Sequence, residues 1–160
     1  MSMDAFPFFG KPMMAIGGIL ALLIIVDLIN LGVVIKVYVD IHNDDVGSST
    51  AERRLSLTIL IKSAVSVIVW TIISIFAIVF IKRGQVSRVF RLSLRLLIMG
   101  LIANIPQIVF GAGYSLYGVI VMAAILIVIA IVQFVVVLMY RRNMADAGFC
   151  DPKGNPIQGR

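Results

Sequence analysis

Four long apolar runs, separated by short polar segments, set the pattern of the chain: about residues 13–37, 55–81, 96–112 and 119–140. At ~1.5 Å of rise per residue, about 20 such residues cross a hydrocarbon core of about 30 Å. The first, second and fourth runs meet that length comfortably. The third is the shortest and least regular, and Pro106 sits inside it. Between the runs lie a polar loop at 38–54, a basic loop at 82–95 and an uncharged turn at 113–118 carrying Tyr114 and Tyr117; a polar tail at 141–160 closes the chain. The pattern predicts an all-α integral membrane protein, an antiparallel bundle of four transmembrane helices, with no soluble domain.

Finer periodicities mark the faces of these helices. Gly17 and Ala21 form a small-xxx-small pair in the first span that would allow close helix approach. Ser63, Ser66, Trp70 and Ser74 recur at helical spacing along the second, a seam of small residues with one tryptophan to fill a gap. In the third span Gly100, Asn104, Gln107 and Gly111 recur at intervals of 4, 3 and 4, so one face is small or amide-bearing while the rest is aliphatic. The spacing Ser49-x-x-Glu52 is that of a capping box and places the second helix start near residues 50–54.

Composition narrows the class. Hydrophobic residues make up 61% and charged residues 14% of 160, with mean hydropathy +1.07; soluble domains average about 25% charged. The net charge of +6 is concentrated beside apolar runs. Lys82, Arg83, Arg88, Arg91 and Arg95 fall in one loop without an acid, and Arg141 and Arg142 follow the last run; Arg88, Arg91 and Arg95 share one helical face beside Val89, Leu92 and Leu96, so the loop can continue the third span as an interfacial helix. Cations resist translocation, so these segments are expected on the cytoplasmic side, with both termini inside and the 38–54 loop outside. The same cations are expected to meet anionic lipid headgroups at the cytoplasmic face. A nucleic-acid partner is not expected, because the cations do not interleave with aromatics on a polar surface. The reading implies a multi-pass protein of the plasma or inner membrane. Phe6, Phe8, Phe9 and Lys11 before the first run suit an interfacial anchor. That run lacks a preceding basic cluster and a small-residue cleavage pattern, so it is read as a retained span.

Reactive chemistry is sparse. One cysteine, Cys150, allows no internal disulfide, and one histidine, His42, allows no haem-ligating His pair. Asp40, His42, Asp44 and Asp45 match no metal-ligand spacing, and neither a metal nor a cofactor is expected. No Ser/His pair, paired carboxylates at depth or histidine cluster points to an enzyme.

What remains is a set of polar residues inside the spans: Asp27, Asn30, Lys62, Asn104, Gln107 and Gln133. A carboxylate at mid-bilayer costs about 2.5–3.5 kcal/mol on insertion scales, so Asp27 is expected to face protein or a wet cavity. Lys62 is expected to snorkel toward the outer surface or, as the sharper alternative, to pair with Asp27. Two functions follow. The first is a non-catalytic accessory, assembly or scaffold subunit acting through helix contacts with other membrane chains or with itself. The alternative is a small oligomeric transporter or channel whose path these six residues line.

The charge pattern makes a direct prediction. A cysteine introduced at Ser48 should react with an impermeant reagent in intact cells, and one at Gln85 only after permeabilisation; the opposite result inverts the topology.

Overall fold

The computed structural model describes residues 7–43 and 49–157, with side chains from Met14 onward. Phe6, the side chains of Phe8, Phe9 and Lys11, and the acids Asp44 and Asp45 lie outside the described residues. The described chain is all-helical apart from its turns: α1 (Pro7–Asn43), α2 (Thr50–Lys82), α3 (Val86–Gly113) and α4 (Tyr117–Asp146). Each contains a stretch long and apolar enough to cross a membrane. The helices close a ring, with α3 on α4 and α1 on α2 the most extensive pairs and α2 on α3 the loosest.

Every helix outruns its apolar segment. At 28 to 37 residues they are about 42–55 Å long, against a hydrocarbon core of about 30 Å. Hydropathy marks where the chain leaves lipid, whereas a helix ends only where its backbone finds a better partner. The basic segment at 82–95 is mostly α3, continuous with the third span as the helical spacing of Arg88, Arg91 and Arg95 allows, leaving Arg83, Gly84 and Gln85 as the turn. Gly84 supplies the positive φ of 65° needed there. Likewise Arg141 and Arg142 do not stop α4, which runs to Asp146 because Met144 is buried in the main core. At the other end Ser49 caps α2, its hydroxyl accepting the Glu52 amide at 3.1 Å, as the spacing implies.

One face of each helix is buried. Ile16, Leu20 and Leu23 of α1 meet Trp70, Ala77 and Ile81 of α2, Val89 and Leu96 of α3, and Leu126, Val137 and Tyr140 of α4. A second cluster near the α3–α4 turn joins Val34, Ile41, Ile59, Phe110 and Val119. At that turn a Cβ on Gly111 would lie 2.6 Å from Ile120 Cγ1, so only glycine admits this approach. The outward faces are aliphatic, with Ile102 and Val109 about two-thirds exposed, which water would disfavour and lipid accommodates.

The tail, expected to be a polar extension with an Asp-Pro-Lys-Gly turn, makes that turn and also folds back on the bundle. Asp151-Pro152-Lys153-Gly154 forms a turn with Pro second and Gly fourth, closed by the Gly154 amide donating to the Asp151 carbonyl at 2.8 Å. The Asn155 amide donates to Asp151 Oδ1 at 2.7 Å. Gln85, at the start of α3, makes no side-chain cap. Instead the Gly154 carbonyl accepts the Ser87 amide at 3.0 Å, so the tail satisfies a donor that α3 leaves open. Cys150 is buried beneath this turn, and burial pushes its thiol up. The Asn155 hydrogen bonds hold the Asp151 carboxyl below its usual range. A depressed carboxyl stabilises above its unfolded value and loses that contribution as pH falls through the folded one, so the turn should loosen only below about pH 4.

Gly154 has φ +84° and would place a Cβ 3.1 Å from the Ser87 nitrogen. Gly154→Val should cost about 1–2 kcal/mol from the left-handed backbone alone, before any clash. The check is a lower melting midpoint in detergent together with faster exchange of the Ser87 amide.

Candidate functional site: a polar clasp inside the bundle

The amide face of α3 turns inward, and Asn104 and Gln107 are both buried. Gln107 is the hub. Its Oε1 accepts the Lys62 ammonium of α2 at 2.7 Å, and its Nε2 donates to Asn30 Oδ1 of α1 at 2.7 Å and to the Val119 carbonyl of α4 at 3.3 Å. Lys62 also donates to Asn104 Oδ1 at 3.3 Å. Asn30 donates onward to Ser63 Oγ at 3.5 Å, the limit of hydrogen-bond reach. One side chain thus ties all four helices together. Asn104 spends its own amide on the Gly100 carbonyl at 2.8 Å, one turn back in α3.

Lys62 therefore neither snorkels outward nor pairs with Asp27; its ammonium turns to two amide oxygens. Asp27 lies one turn before Asn30 on the same face of α1 and is 1% exposed, and neither carboxylate oxygen has a hydrogen-bond partner. Of the six polar residues, Asn30, Lys62, Asn104 and Gln107 converge in one network and Asp27 borders it. Gln133 is elsewhere: its Oε1 accepts the Ser93 hydroxyl at 2.9 Å, and about 21 Å of helix rise separates Ser93 from Gln107. Sequence reasoning missed Ser93 because it lies in the basic segment. Its signal was its place seven residues before Gly100, on the same helical face.

Ser63, Trp70 and Ser74 are buried and Ser66 half-buried along α2, with Trp70 Cη2 3.7 Å from where a Cβ on Gly100 would lie. Gly17, half-buried, has open space at its Cβ position and Ala21 is exposed, so no close helix approach is seen at this pair among the described residues. Lys82, Arg83, Arg88, Arg91, Arg95 and Arg142 are exposed around the α2–α3 turn and the end of α4. Arg88 lies over the Phe80 ring, and Arg141, half-buried, lies 4.0 Å over that of Phe90. Arg91 donates to Ser87 Oγ at 3.2 Å.

Between α2 and α3 runs a groove of about 440 Å³ lined by Thr58, Ile59, Lys62, Met99, Ile102, Ala103, Pro106 and Gln107. Among the described residues no group of three or more His, Cys, Asp or Glu side chains is placed to hold a metal ion. The chain matches no family model, no curated protein and no solved structure.

Removing the hub should strand several buried groups at once. Gln107→Leu should destabilise by about 1–3 kcal/mol for each partner left unsatisfied. Gln133→Leu strands only Ser93 and should cost less. Because the two networks are separate, the double variant should be additive within about 0.5 kcal/mol in detergent unfolding.

Proposed function

We propose that this chain is an antiparallel, multi-pass membrane protein with both termini cytoplasmic, acting without catalysis as an accessory, assembly or scaffold subunit. The observation that carries this reading is the Gln107 clasp. Asn30, Lys62, Asn104 and Gln107 spend their hydrogen-bonding groups mainly on one another and on backbone carbonyls, which serves cohesion of the four helices rather than passage of a solute. The aliphatic outward faces then supply contact with lipid and with other membrane chains, self-association included. The exposed cations around the α2–α3 turn fit anionic headgroups, each worth about 1 kcal/mol near an anionic leaflet.

One observation favours the second reading, a small oligomeric transporter or channel. Asp27 is buried beside the clasp with no partner for its carboxylate, and an intramembrane ionisable group in that state is a default site for protons or ions. Asp27→Asn separates the two. Under the accessory reading the amide gains a donor and loses a charge, so the melting midpoint should rise or hold and proteoliposomes should show no proton or cation flux with either protein. A flux carried by the native chain and abolished in Asp27→Asn, with folding intact, would overturn that reading in favour of transport.

A further inference from the structure

Two ionisable residues stand alone in the apolar stretches of the four helices. Asp27 is the only one in residues 12–35 and Lys62 the only one in 55–81, while residues 96–113 of α3 and 118–139 of α4 contain none. The two are close enough to interact electrostatically. Their hydrogen bonding is opposite. The Lys62 ammonium gives two of its three donors to the neutral oxygens of Asn104 and Gln107. Asp27 is 1% exposed, and neither of its oxygens has a partner in hydrogen-bond geometry, although Asn30 and Lys62 are both near.

A carboxylate ion in a dry interior without a donor is a costly state, and a proton removes the cost. With that proton in place nothing on α1 competes for the ammonium, and the amides of α3 hold it, as they do here. Ionisation reverses the balance, because at low dielectric an anion attracts a cation more strongly than neutral oxygens do. Each bond that Lys62 then withdraws comes from the contact of α2 with α3, the loosest of the helix pairs.

We propose that Asp27 is a proton-binding switch for the clasp. With the proton bound, Lys62 stays on Asn104 and Gln107 and fastens α2 to α3. With the proton released to water, Lys62 turns to Asp27, Gln107 loses its cation, and the α2–α3 seam loosens. The pair carries one positive charge in the first state and none in the second. The switch rests on the clasp and requires no flux, so it holds under either reading of function.

Nuclear magnetic resonance of the full chain in detergent micelles tests it, from the ordinary carboxyl range near pH 4 up to about pH 9. The Asp27 carboxyl carbon reports its proton, and the side-chain amide of Gln107 reports the clasp. Both should shift with one shared midpoint in the native chain. In Asp27→Asn the Gln107 amide should stay at its low-pH position throughout. In Lys62→Met the Asp27 carboxyl should still titrate, with Gln107 no longer following. His42, the one histidine, lies about 22 Å of helix rise from Asp27, and His42→Gln should leave the midpoint where it is. A Gln107 shift that persists in Asp27→Asn would overturn the switch. So would an Asp27 carboxyl that does not titrate across this range, or one that titrates while Gln107 stays still. The native chain and Asp27→Asn suffice for these outcomes, so the test does not depend on Lys62→Met folding.

Discussion

The 2.7 Å hydrogen bond from Lys62 to Gln107 carries more of this structure than its size suggests. An ammonium on a helix among aliphatic neighbours has few places to go, and in lipid a polar group without a partner is costly. By accepting that cation, Gln107 is fixed in orientation, which aims its amide nitrogen at Asn30 and the Val119 carbonyl. Register between all four helices follows from one side chain. Apolar packing alone specifies register weakly inside a membrane, because lipid tails solvate aliphatic side chains about as well as other helices do.

The same interaction explains why Asp27 is anomalous. A lysine and an aspartate at neighbouring depths should attract, yet amide oxygens from α3 hold the lysine instead. Asn30 accepts from Gln107 and donates to Ser63. The chain thus has a satisfied clasp and an unsatisfied neighbour side by side, and any change that loosens the first offers the second a partner.

Much of the bundle was legible because long apolar helices announce themselves by length and hydropathy, and the face of α3 because Gly100, Asn104, Gln107 and Gly111 recur at helical spacing. Three things were not legible, each for a physical reason. The helix end at Asp146 depends on what the backbone meets past the apolar run, which hydropathy does not encode. The partner of Lys62 depends on rotation of α3 against α2, and position along the helix offered only the outer surface or Asp27. The turn at Asp151–Gly154 gains its place from a hydrogen bond to Ser87 in a distant helix; its Pro and Gly signalled a turn but not its docking.

That docking has a consequence for the order of assembly. The carbonyl that closes the start of α3 belongs to Gly154, which leaves the ribosome only after all four helices have been made. Until then the Ser87 amide waits for its acceptor, and the start of α3 is incomplete. The Asp151–Gly154 turn then acts as a latch, closed only after the four helices that precede it have been made.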